Sequence, residues 1–105
     1  MSKGQLATGT VEGTGAAINV SCGFTPKHIT LINIDGDARL DWNDQYADGT
    51  GYKIIAAGTG ALVATGGITP YSGSSGSAAK GFTIGTDSDV NASAETINWT
   101  AWGED

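Results

Sequence analysis

The sequence predicts an all-β chain: a single small antiparallel β-sandwich, jelly-roll or Ig-like, with short strands and Gly-rich turns. Three observations predict it. Apolar residues alternate with a period of two in nearly every segment that carries them, as half-buried strands require. Gly fills 17 of the 105 positions, against a usual share of ~7%, and Gly or Asp-Gly punctuates the gaps between the runs. No stretch carries an apolar stripe of helical spacing.

In chain order, residues 1–15 are Gly/Thr-rich and read as an N-terminal arm or an edge strand, ahead of a sandwich domain over 16–105. In Ala17–Ser21, Ile18 and Val20 alternate with Asn19 and Ser21. The turn Gly23-Phe24-Thr25-Pro26 opens the strongest strand, His28–Ile34. Its β-branched density suits a sheet, and its near-continuous apolar character predicts burial on both faces. Asp35-Gly36 signals a hairpin. After it Ala38, Leu40 and Trp42 point one way, and Arg39, Asp41 and Asn43 the other. Further short runs lie at Tyr52–Ala57, Ala61–Thr65, Gly67–Thr69 and Gly81–Ile84. The last strand, Thr96–Trp102, sets Ile97, Trp99 and Ala101 on one face and Asn98, Thr100 and Trp102 on the other. Ser/Gly-rich residues 72–81 cannot bury apolar area and read as a flexible loop.

The charge balance narrows the partners. Five Lys+Arg against eleven Asp+Glu give a net charge of −6, which argues against a nucleic-acid partner, since that needs a basic footprint. Charged residues make up only 15% of the chain. No apolar run approaches the ~20 residues of a membrane helix, and no membrane partner is expected. Met1–Leu6 has one cation and no apolar stretch, so synthesis in the cytoplasm is expected. The one cysteine, Cys22, cannot form an internal disulfide, so stability must come from the core or from oligomerisation.

Catalytic and cofactor chemistry finds little footing. Cys22 ends one strand and the one histidine, His28, begins another. Cys–His catalysis needs contact between them and an orienting third group, and a structural role is the expected one for both. No close-spaced zinc ligands occur. Asp87-Ser88-Asp89-Val90-Asn91 has the D-x-D-x-N spacing of a calcium loop, but Ala92 and Asn98 stand where that loop wants Gly and Glu. Asp and Asn also satisfy turn backbones with their own side chains, which is the expected role here. Gly58-Thr59-Gly60 lacks the rest of a nucleotide fingerprint and opens a strand where a helix is required. No catalytic residue, cofactor or metal is therefore assigned, and the chain is expected not to be an enzyme.

The aromatic residues carry the open question. Trp42, Tyr46 and Tyr52 fall around one hairpin beside Asp41, Asn43, Asp44 and Gln45. Such a group suits a sugar platform, an interface anchor or core packing. The core reading applies first to Trp42 and Trp99, which share faces with Leu40 and Ile97. Trp102 joins Trp42, Tyr46 and Tyr52 as a candidate interface or ligand residue.

Several stretches together, Gly23–Ile29, Trp42–Gly49, Gly81–Asn91 and Ile97–Trp102, give the chain a family likeness. Their layout resembles that of small β-sandwich virion structural proteins of tailed bacteriophages, among them capsid decoration (cement) proteins and tail-fibre modules. The resemblance spans roughly residues 16 to 103, and its motifs are turns and strands rather than catalytic signatures. It implies an all-β sandwich without enzymatic activity that assembles on a symmetric particle. The expected function is a capsid decoration protein that binds the outer surface of the major capsid shell and stabilises it. The expected partners are the major capsid protein and further copies of the chain, a trimer being one form. Its expected place is the capsid exterior of the virion, after synthesis in the bacterial host. The alternative is a lectin-like tail-fibre or baseplate module binding host surface glycans through Trp42, Tyr46 and Tyr52. The Gly-Phe-Thr-Pro turn and the final Trp-containing strand also resemble small six-stranded sugar-binding sandwiches.

Overall fold

A computed structural model describes residues 4–71 and 80–104. They form eight strands: β1 (Gly4–Glu12), β2 (Ile18–Ser21), β3 (Pro26–Asn33), β4 (Ala38–Asn43), β5 (Thr50–Ile54), β6 (Gly60–Tyr71), β7 (Gly81–Ile84) and β8 (Thr96–Glu104). Among the described residues there is no helix. The loop expected over 72–81 lies outside the described residues except for Lys80 and Gly81, and Gly81 already opens β7.

The all-β, antiparallel expectation holds, but the strands are not divided between two sheets. All eight join in one sheet of order β1-β8-β3-β4-β5-β6-β7-β2. Connectivity forces this sheet to curl. β1 and β2 are consecutive in the chain yet form opposite edges. The six steps from Glu12 to Ile18 reach at most ~21 Å, whereas the edges of a flat eight-stranded sheet stand ~33 Å apart. The sheet therefore bends into a half-barrel, with the 13–17 connection crossing its open side.

The bend is made within β6. Thr50 of β5 pairs with Ile68, but the next residue, Gly51, pairs with Val63. Residues 64–67 are thus looped out, and β6 continues beyond them along β7 from Ile68 to Tyr71. Gly66 takes a left-handed φ of 77°, and a Cβ on Gly67 would run into the Thr50 carbonyl. Side chains other than hydrogen are excluded at this corner by conformation and by space. The two short runs read at Ala61–Thr65 and Gly67–Thr69 are one bent strand.

β1 is an edge strand rather than an arm. It pairs with β8 without a register shift from Gly4↔Glu104 to Glu12↔Thr96, so residues 4–12 belong to the same sheet as the rest.

The core fills the concave side. Ile29, Leu31, Leu40, Trp42, Ile97, Trp99 and Ala101 line it from β3, β4 and β8, and Val20, Ile68, Phe82 and Ile84 close over them from β2, β6 and β7. Phe82 meets Trp99 edge-to-face, with ring centroids 5.6 Å apart and planes at 73°. This geometry suits the ring quadrupoles. Phe24 and Val90 join the cluster from the connecting segments, and Ala38 from β4.

Two buried asparagines tie the connections to the sheet. Asn33 Oδ1 accepts from the backbone N–H groups of Asp35 and Gly36, shaping the β3–β4 turn. Its Nδ2 donates to the Asp89 carbonyl and to Glu95 Oε1. Asn91 spans the open side: Oδ1 accepts from Thr14 N and Gly15 N, and Nδ2 donates to the carbonyls of Ala16 and Gly85.

Candidate functional site

With the concave face packed, the convex face is left to meet other molecules. The registers draw its side chains into ranks. Leu6, Trp102, His28 and Asn43 form one rank across β1, β8, β3 and β4. Thr8, Thr100, Thr30, Asp41, Tyr52 and Leu62 form the next, which extends across β5 and β6. Thr10, Asn98, Ile32, Arg39 and Ile54 form a third. Neighbours within a rank stand ~4.8 Å apart, and ranks are ~7 Å apart.

This face holds the exposed apolar surface. The large hydrophobic residues left exposed are Leu6, Ile32, Ile34, Tyr52, Leu62 and Trp102. Five stand in these ranks, and Ile34 continues the outward alternation one residue beyond β3. Leu6 and Leu62 are the most exposed, at 62% and 65%. Trp102 lies against His28, with ring centroids 4.7 Å apart and planes tilted by 47°. Between the apolar positions runs a polar network: Thr30 Oγ1 donates to Asp41 Oδ1 at 2.7 Å, and Arg39 Nε donates to Asp41 Oδ2 at 2.9 Å. The Arg39 side chain is 53% exposed, and such a pair contributes less than about 1 kcal/mol to folding.

The four aromatic candidates separate. Trp42 is buried beside Leu40, and its indole N–H donates to the Ala47 carbonyl at 3.3 Å. Tyr46 is partly buried and packs against the core. Tyr52 and Trp102 stand on the convex face, three strands apart. Trp42, Tyr46 and Tyr52 therefore do not form one platform. Strand alternation explains the split, since Tyr52 sits opposite Asp41 and not opposite Trp42. Leu6, Ile32, Ile34 and Leu62 join the exposed aromatics although the sequence reading singled out none of them. Burial of His28–Ile34 on both faces is corrected too, because Ile32 and Ile34 point outward and are exposed.

The calcium-like loop is organised around a lysine. Asp87 Oδ1 accepts from the N–H groups of Asp89 and Val90, the turn role expected of such residues. Lys53 Nζ lies 2.9 Å from Asp87 Oδ2 and 2.7 Å from Asp89 Oδ2. Burial pulls the Lys53 ammonium down, and its bonds to Asp89 and Asp87 more than offset this, raising it above its ordinary value. Among the described residues no group of three or more His, Cys, Asp or Glu side chains could hold a metal ion.

Cys22 and His28 are engaged separately. The Cys22 thiol donates to the Phe24 carbonyl at 3.2 Å, and burial pushes it up despite backbone hydrogen bonds that pull the other way. A thiol that holds its proton is a poor nucleophile. His28 is occupied with Trp102 on the convex face.

No family model, curated protein or solved structure matches the chain.

Proposed function

We propose that the chain is a non-enzymatic virion structural protein of a tailed bacteriophage, a capsid decoration protein that binds the outer surface of the major capsid shell. The observation that carries this reading is the gathering of the exposed large hydrophobics on one face of a curled sheet. Among the described residues that face carries Arg39, Asp41 and Glu12 at charged ladder positions, on a chain of net charge −6. Apolar anchors on a weakly charged, Thr-rich surface suit adhesion to a large neighbour. The family resemblance of the turns and strands supports the same reading. The mechanism is adhesive: contacts by Leu6, Trp102 and their neighbours, repeated by the symmetry of the shell, hold major capsid subunits together at their joints. Self-association adds to it by burying further exposed surface.

The test is binding of purified protein to expanded and unexpanded shells. The joint changes shape on expansion, so tight binding to expanded shells and weak binding to unexpanded ones is expected. Equal binding to both removes the mechanism.

A second reading is favoured by Tyr52 and Trp102, two exposed rings with Asn43, Asp41 and Thr30 at ladder positions between them. It is the lectin-like tail-fibre or baseplate module, now without Trp42 and Tyr46. Binding to host surface polysaccharide that is lost in Trp102→Ala supports it, and no glycan binding at millimolar protein removes it.

A further inference from the structure

The two edges of the sheet differ in a way that bears on assembly. β2 is four residues long, too short to template much pairing. β1 is nine residues long and pairs on one side only, with β8. Among the described residues nothing pairs with its other side. Sheet edges are ordinarily blunted by proline, by a bulge, by lysine or by an inward-pointing charge. β1 has none of these: its register with β8 runs unshifted from end to end, and its residues are Gly-Gln-Leu-Ala-Thr-Gly-Thr-Val-Glu. Its inner positions are occupied with the core, where Ala7 and Val11 pack and Gly9 makes room for the Trp99 indole. Leu6, Thr8 and Thr10 stand outward and exposed.

The geometry points to a second copy of this chain as the occupant of that edge, paired β1 to β1 in antiparallel fashion about a two-fold axis near Thr8. Charge decides the direction and leaves the middle of this edge open to a like chain. The charged residue of β1 is Glu12, at its end. Antiparallel pairing places the two Glu12 residues ~27 Å apart along the strands, beyond a screening length of ~8–10 Å. Parallel pairing would set them side by side. Elsewhere a chain of net charge −6 resists close approach of its like, whereas the middle of β1 is uncharged. A nine-residue antiparallel ladder supplies about nine main-chain hydrogen bonds, near the ~10 of a standard interface. Threonines facing each other at the centre are a favourable cross-strand pair. The joined sheets place Leu6 of each copy beside Thr10 of the other, so the two convex faces become one continuous surface. This pairing rests on the fold and not on the virion reading, and either can fail alone.

The experiment is sedimentation equilibrium of the full chain over roughly 1 µM to 1 mM, under reducing conditions so that Cys22 cannot cross-link. The expected result is a monomer–dimer equilibrium. Thr8→Lys and Thr8→Glu, each alone, weaken it at least ~10-fold through like-charge repulsion at the centre, and mixing the two variants restores the dimer. Thermal unfolding of each variant checks that it is folded. In the wild type, amide exchange of β1 slows as concentration rises, a readout that needs no substitution. A monomer throughout the range, a trimer, or a dimer indifferent to Thr8→Lys overturns the proposal.

Discussion

The side-chain amide of Asn91 donates to the carbonyl of Ala16 at 2.7 Å, across 75 residues of sequence. The same side chain accepts from Thr14 N and Gly15 N and donates to the Gly85 carbonyl. One fully buried residue thereby fastens the β1–β2 connection to the end of β7 and holds the half-barrel curled. Asn91→Ala removes all four hydrogen bonds made by this buried side chain and is expected to cost about 3 kcal/mol. For a domain of this size that lowers the melting temperature by roughly 15 °C. Calorimetry of the two proteins measures it, and a change below a few degrees removes Asn91 from this role.

Lys53 gives the fold a signature at high pH. Its folded-state value is raised, so its contribution is complete below the unfolded lysine value of about 10.4 and is lost as pH rises through the folded value. Lys53→Met leaves Asp87 and Asp89 without their cation and is expected to cost ~1–2 kcal/mol at neutral pH. In urea titrations the difference between wild type and variant stays level from about pH 7 to 9 and closes above the lysine range. A difference that is unchanged through that upper range contradicts the assignment.

Gly9 is small because Trp99 needs the space. A Cβ at Gly9 would come within 2.8 Å of the indole ring, closer than a packed core tolerates. Gly9→Ala is expected to destabilise by about 1–3 kcal/mol and to change the near-ultraviolet dichroism of the tryptophans. Thr8→Ala, one residue away but outward, is expected to stay within ~0.5 kcal/mol. Equal melting temperatures for the two variants would contradict this packing.

Trp42 and Trp102 test the separation of core from surface. Trp42→Ala opens a cavity and is expected to cost ~3–5 kcal/mol. Trp102 is 40% exposed, so Trp102→Ala is expected to cost under about 1 kcal/mol. Under the proposed function capsid binding reverses the order: Trp102→Ala is expected to lose at least ~10-fold affinity as an interface anchor. Unchanged binding by a folded Trp102→Ala protein takes the convex face out of the contact.

Legibility in the sequence followed the side chains. β4 was readable because Ala38, Leu40 and Trp42 alternate with Arg39, Asp41 and Asn43, and the structure buries the first set. The same alternation placed Trp102 outward. The sequence leaves β1 open between arm and edge strand because two of its inner positions, Ala7 and Gly9, are small: Trp99 supplies the bulk where Gly9 stands, and that compensation comes from another strand. β6 reads as two runs because a glycine pair within a strand looks like a turn, and the curl into one sheet is hidden with it. In the candidate site, proximity along the chain grouped Trp42, Tyr46 and Tyr52, while the fold groups by rank. Leu6, Ile32 and Leu62 belong with Trp102 and Tyr52 only through pairings of distant strands, which no local pattern records. Ile32 and Ile34 mislead in another way, since an apolar residue in a strand need not face the core.

The central claim, adhesion of this chain to the outside of a phage capsid, is tested most directly by counting it. Heads and tails of the phage that the proposal takes as the source of the chain are separated, and the polypeptide in each is quantified by mass spectrometry. A symmetric shell repeats each joint, so the account predicts on the order of hundreds of copies per head. Absence from the heads, with the chain confined to tails or missing from the particle, would contradict it.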